Sequence, residues 1–258
     1  MSAISSYRWT LARDLEFYAS SGIDQVGLSL AKLEAHGLED GVQRVVDSGV
    51  RVTNMLGVGA FGLAEPGHWS AQRERLCLAL DAARTMGAEC LVLTSGPARW
   101  LEWEAAADAL ESALEPVLTE ARRSGVSLAL EHTNSLRVDV SFVHTLGDAV
   151  DLAQRLGVGV CLECNACWGE RGLGETIARS ANCIRLVQVS DFVVGTLVTP
   201  DRAVPGDGDI PLPRIVAHLL DAGYQGVFDL ELIGPRIEAE GYEPAIRRGL
   251  TAMEKMLS

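Results

Sequence analysis

A single (β/α)8 TIM barrel over residues 1–258 is the fold this sequence predicts, and three observations predict it. Short apolar runs alternate with helical segments along the whole chain. Most of those runs are nearly continuous in apolar residues, as in parallel strands covered on both faces. The length of 258 residues matches the roughly 250 of one closed α/β barrel. An open doubly wound sheet would need a glycine-rich phosphate loop after its first strand, and SSYRWTLARD has none.

The strand candidates, in order, are a weak AISSY (3–7), then IDQVGLS (23–29), VRVTNML (50–56), CLVLT (90–94), VSLALE (126–131), VGVCLE (158–163), IRLVQVS (184–190) and VFDLEL (227–232). Between them the apolar period becomes helical. Leu76, Leu80 and Ala83 follow i, i+4, i+7 spacing, and Leu110, Leu114, Val117, Leu118 and Ala121 repeat it on a longer segment. Gly22, Gly49, Gly87, Gly125, Gly157 and Gly223 stand where helices should end before the next strand.

Composition narrows the function. Basic residues number 22 and acidic residues 35, a formal charge of −13, which disfavours nucleic acid and anionic membranes as partners. No apolar run approaches the roughly 20 residues of a membrane span. The first residues have no apolar stretch or basic region of the secretory kind, so a cytoplasmic location is expected. Six cysteines at scattered spacing read as reduced, buried thiols. The only lysines are Lys32 and Lys255, so Schiff-base chemistry would have to rest on Lys32.

In such a barrel the chemistry sits at the carboxyl ends of the strands. The fifth strand ends in LALEHTN with Glu131, and the sixth in VCLECNACW with Glu163. The seventh ends in LVQVSDF with Gln188, Ser190 and Asp191, and the eighth in FDLELIG with Asp229 and Glu231. Buried charge is costly unless it is paired or metal-bound. Inward side chains from adjacent strands about 4.8 Å apart converge on one axis. Three glutamates that close cannot all ionise unaided. Either a divalent ion binds there, or at least one glutamate stays protonated. Oxygen donors suit Mn²⁺ or Mg²⁺.

The chain resembles the xylose-isomerase-like TIM-barrel superfamily of sugar isomerases, sugar epimerases, ring-ketone dehydratases and endonuclease IV. The resemblance is strongest from Leu128 to Gly234. It includes the PG-x-G turn of Pro205, Gly206 and Gly208 and the GY-x-G approach to the last strand. The family places metal-binding Glu, Asp, His and Glu at the ends of strands five to eight. The resemblance implies metal ligands Glu131, Glu163, Gln188 and Glu231, with Glu163 in place of the usual Asp and Gln188 in place of the usual His. Ala166 stands where the family often has a histidine, and Gln188 is similar to the dehydroshikimate dehydratase branch.

The remaining candidates are substrate contacts: His132, Asn165, Trp168 as a lid, and Asp191 and Arg202 in the loop after the seventh strand. Strand alternation turns His132 outward unless the strand has already ended, so it is also read as a capping histidine. Asp191 and Arg202 read equally as a loop salt bridge. Cys161, Cys164 and Cys167 are read as packed thiols. The first functional expectation is a metal-dependent isomerase or epimerase of a polyhydroxy carbonyl compound, with Glu131 and Glu231 as catalytic acid and base across an enediolate. A dehydratase of a hydroxy-keto ring and a non-catalytic barrel with a drifted site are the alternatives. A phosphodiester nuclease fits poorly with the charge and the lack of histidine ligands. The expected partner is a small-molecule substrate, with homo-oligomerisation left open.

Overall fold

The structure, a computed structural model, describes all 258 residues. Seven parallel strands run in chain order around the sheet: β1 Gln25–Ser29, β2 Arg51–Leu56, β3 Cys90–Thr94, β4 Ser127–Glu131, β5 Gly159–Glu163, β6 Ile184–Val189 and β7 Val227–Leu230. Consecutive strands are neighbours throughout, as a singly wound barrel requires. Seven of the eight expected runs are therefore strands.

The eighth, AISSY, is not. Ala3–Ser6 is a 3-10 helix whose first turn is capped by the Ser2 hydroxyl. The seam between β1 and β7 is closed one step earlier, by two residues. The Ser2 N–H donates to Leu230 O at 2.9 Å, and the Gly27 N–H donates to Met1 O at 2.8 Å. The Ser5 hydroxyl then donates to Leu230 O and accepts the Leu232 N–H, both at 2.9 Å. Side-chain bonding by serine replaces the backbone ladder here and leaves the chain free to turn.

The helices α1 Leu11–Ser21, α2 Leu30–His36, α3 Leu38–Ser48, α4 Trp69–Met86, α5 Trp103–Ser124, α6 Leu146–Leu156, α7 Cys164–Cys167, α8 Leu173–Ser180, α9 Leu212–Asp221, α10 Pro235–Glu240 and α11 Tyr242–Leu257 complete the chain. Thr10 and Thr145 cap α1 and α6 with their hydroxyls. Five of the six glycines expected to end helices do so: Gly22, Gly49, Gly87, Gly125 and Gly157 are left-handed caps, whereas α9 is capped by Ala222 and Gly223 comes next, with positive φ. Leu76, Leu80 and Ala83 of α4 and Leu110, Leu114, Val117 and Ala121 of α5 are buried, which is the face their spacing selected.

Two apolar layers result. A large one of 63 residues joins the helices to the outer faces of the strands. A small one, Leu56, Cys90, Val92, Ala129, Cys161 and Leu186, fills the barrel interior. Its floor is polar. Asp229 pairs with the Met1 ammonium at 3.2 Å and accepts from Asn54 Nδ2 at 3.2 Å. Asp229 is thus an ion-paired structural acid below the site. Gly27 is required beside it, because a Cβ there would lie 2.6 Å from Asn54 Oδ1. Lys32 is also structural. Its Nζ holds Asp14 Oδ2 at 2.5 Å and Ser6 O at 2.8 Å, away from the cavity described below.

Candidate active site

Strand register decides which side chains face inward. Thr94 pairs with Glu131, Glu131 with Cys161, Glu163 with Gln188, and Gln188 with Asp229. Because side chains alternate along a strand, Glu131, Glu163, Gln188 and Glu231 all fall on the face that carries Cys161 and Leu186, the barrel interior. Above the interior apolar layer the barrel opens into a cavity of about 380 Å³. Glu131, Gln188, Arg202 and Glu231 line it, together with Thr94, Thr133, Asn134 and Arg137.

The polar groups are chained together. Burial, followed by the charge of Glu131, pushes the Cys161 thiol well above its ordinary value, so it keeps its proton and donates. It donates to Gln188 Oε1 at 3.2 Å. With its oxygen engaged, Gln188 turns its N–H group to Glu231 Oε2. Glu163 is buried beside the cavity. Its Oε1 accepts the Asn165 N–H at 2.9 Å and pairs with Arg202 Nη1 at 2.8 Å. The same Nη1 donates to Ser190 Oγ at 3.1 Å. Glu163 Oε2 has no partner.

The loop after β6 places Arg202, and Asp191 builds that loop. Asp191 Oδ1 accepts the N–H groups of Phe192 and Ile210 at 2.8 and 3.0 Å, and Oδ2 those of Gly206 and Gly208 at 2.9 and 3.1 Å. A Cβ on Gly208 would overlap the Asp191 carboxylate. This is the physical content of the PG-x-G turn. Asp191 also pairs with Ala203 through two backbone bonds of 2.9 and 2.8 Å, and the Arg202 N–H donates to Ile233 O at 2.8 Å. Asp191 is therefore a loop organiser, not a substrate contact.

Three other expected substrate contacts do not line the cavity. His132 is fully buried, and its Nε2 accepts the Glu163 N–H at 3.2 Å. Burial pushes its imidazole down to about 3, so it is a neutral brace between β4 and β5, the capping role that strand alternation allowed. Asn165 is buried at the start of α7. Trp168 packs against the main apolar layer and does not cover the cavity. Cys164 and Cys167 are buried free thiols. Reading the sequence missed Cys161 as the group that orients Gln188, although alternation from Glu163 places it on the inner face. It also missed Asn134 and Arg137, which lie in a loop without a periodic signal.

The two cavity glutamates differ electrostatically. Burial first, and then the Glu163 carboxylate, push Glu131 up to about 7, with Arg202 and Arg137 pulling it down. Burial, then Glu131 and Glu163, hold Glu231 well above the ordinary range. At neutral pH this favours one ionised and one protonated carboxyl, the condition for a base and an acid in one site. The pair titrates together. Were the pair to serve as base and acid, kcat/KM would rise as pH increases through about 7 and fall again at higher pH as the second carboxyl ionises. A pH–rate profile checks this. A flat acid limb down to pH 5 would contradict it.

As arranged, these residues do not fit a divalent cation. A ligand must present a lone pair, whereas Gln188 presents N–H toward Glu231. Glu163 Oε1 is held by a guanidinium and a backbone N–H, which leaves Oε2 as its one free oxygen. No three acidic, histidine or cysteine side chains are grouped to hold an ion.

The family model described as xylose isomerase-like TIM barrel matches residues 15–256. The chain belongs to that family. Within it, the chain is similar to an inosose isomerase of Halalkalibacterium halodurans, 29% identical over 145 residues. That match takes in 51% of this chain and 49% of the relative, so the chain spans about half the length of the curated relative it matches. Among solved structures, the protein SMc04130 of Sinorhizobium meliloti superposes with a TM-score of 0.88 at 25% identity, covering 99% of this chain and 98% of the other. IolI, solved with a bound zinc atom, superposes with a TM-score of 0.85 at 19% identity, covering 100% and 97%. The barrel fold is thus shared along the full length.

Proposed function

We propose that this xylose isomerase-like chain is an isomerase or epimerase of a small polyhydroxy carbonyl compound. The observation that carries the reading is the pair Glu131 and Glu231, three strands apart on one cavity, with their proton affinities held up by burial and by neighbouring carboxylates. The similarity to an inosose isomerase supports the substrate class.

In the reaction, the Glu131 carboxylate removes the proton from the carbon beside the carbonyl. The C–H electron pair becomes the C=C bond of an enediolate, and the carbonyl π electrons move to oxygen. Glu231, protonated and steadied by Gln188, then gives up its proton. In epimerisation the proton goes to the same carbon from the opposite face, and the oxygen pair re-forms the original C=O. In isomerisation it goes to the former carbonyl carbon, while the neighbouring hydroxyl passes its proton to the old carbonyl oxygen and its electron pair forms the new C=O. Proton exchange returns both carboxyls to their starting states, and the product is an isomer with no net oxidation. Thr94, Thr133, Asn134 and Arg137 offer hydrogen bonds to the hydroxyls of such a substrate.

The test is solvent exchange. A panel of inososes, keto-sugars and hydroxy-keto rings is incubated with the protein in D₂O. The expected result is deuterium at the carbon next to the carbonyl, with formation of an isomer. Turnover of a substrate without exchange at carbon contradicts the reading. Loss of water from a hydroxy-keto ring, in place of isomer formation, would favour a dehydratase.

A further inference from the structure

We propose that Arg202 is the resident cation of this site: its guanidinium, rather than a divalent metal ion, holds the carbonyl oxygen of the substrate and the enediolate oxygen that forms from it. The proposal rests on the proton-transfer reading above.

Four observations carry it. Arg202 lines the cavity with Glu131, Gln188 and Glu231, and its side chain is only 13% exposed. Its Nη1 lies 2.8 Å from Glu163 Oε1, so the carboxylate that would be a central metal ligand is already neutralised by an organic cation. Gln188, at another expected ligand position, accepts from the Cys161 thiol and turns its donor side toward Glu231. Arg202 itself is held from three directions: by Ser190 Oγ, by the backbone bond to Ile233 O, and by the Asp191-organised loop on which it stands.

The chemistry follows from the donor inventory. A guanidinium has five N–H donors and stays protonated throughout the accessible pH range. Both protein contacts found here use Nη1, which leaves the donors on Nε and Nη2 for a ligand in the cavity. Fixed donors aimed at developing negative charge in a site shielded from water do what a Lewis acid does, without needing a ligand shell. A divalent ion placed among the same carboxylates would meet the guanidinium charge at close range and would have to displace it from Glu163.

The first experiment needs no substrate. Chelator-treated wild-type protein is titrated calorimetrically with Mn²⁺, Mg²⁺ and Zn²⁺, and the untreated protein is analysed for bound metal. The expected result is substoichiometric metal and no saturable binding up to about millimolar concentration. Arg202→Ala, with Arg202→Met as a second variant of closer volume, is expected to gain divalent-ion binding, because the carboxylates lose their counter-charge. Circular dichroism confirms folding of each. Tight, stoichiometric metal in the wild type overturns the proposal.

The second experiment uses the exchange assay. Chelator-treated protein is expected to keep its D₂O exchange. Arg202→Lys, which keeps the charge but loses the planar fork, is expected to lose kcat by roughly 10²-fold or more, on the scale of one lost oxyanion donor. Exchange that appears only after metal is restored overturns the proposal and leaves the proton-transfer reading standing. Absence of exchange with every substrate counts against that reading, while the metal titration still decides the role of Arg202.

Discussion

Glu131→Gln and Glu231→Gln are each expected to lower kcat by at least about a hundredfold while leaving the fold intact. General acid–base groups typically contribute roughly 10²–10⁴-fold, and glutamine keeps the shape of glutamate but can neither take nor release a proton. Both substitutions also remove a carboxylate from a crowded acidic site, so neither should weaken the fold. The two variants should differ in their residual chemistry. Without Glu131, abstraction is lost, and D₂O exchange should vanish with turnover. Without Glu231, Glu131 can still exchange the carbon-bound proton with solvent, so exchange should outlast isomerisation. The measurement is steady-state kinetics with mass-spectrometric deuterium counting on the same samples. Wild-type kcat in both variants would remove the acid–base assignment.

Asp191→Ala is expected to cost about 3–5 kcal/mol of folding stability and most of the activity. Four backbone N–H groups, of Phe192, Gly206, Gly208 and Ile210, converge on this one buried carboxylate. Hydrogen bonds to a charged group are worth about 1.5–3 kcal/mol each, and a buried donor left without an acceptor costs about 1–3 kcal/mol. Ile210 lies in a buried setting and keeps that cost, whereas the part-buried donors of the turn recover some of it from water. Asp191→Asn should fall between, since an amide retains one accepting oxygen. Urea unfolding measures the loss. The activity effect reaches the site through Arg202, which stands on the loop whose turn at Gly206 and Gly208 the Asp191 carboxylate holds. An Asp191→Ala protein of unchanged midpoint would show that the loop is held by other contacts.

The sequence by itself determined the barrel. Continuous apolar runs, helical spacing at Leu76–Leu80 and Leu110–Leu114, and glycine at the helix ends are local signals, each produced by a nearby cause: burial on both faces, a 3.6-residue period, or the left-handed cap that glycine tolerates. Alternation also determined that Glu131, Glu163, Gln188 and Glu231 share one face, because parity along a strand needs no tertiary knowledge. The same local reasoning failed at AISSY, where serine hydroxyls took over the bonds that a strand would have made with its backbone.

What only the tertiary structure decided is which groups those residues meet. Asp191 and Arg202 are 11 positions apart and look alike as loop charges. Their difference comes from four N–H groups gathered around one and a cavity opened beside the other. His132 faces β5 because its neighbour Glu163 presents an N–H to it across the barrel wall. Glu163 reads as a metal ligand by position, yet a guanidinium 39 residues further along pairs with one of its two oxygens. Secondary structure is set over a few residues by backbone geometry and side-chain period. Charge pairing depends on distances in space between residues remote in sequence, and those distances exist only once the barrel has closed.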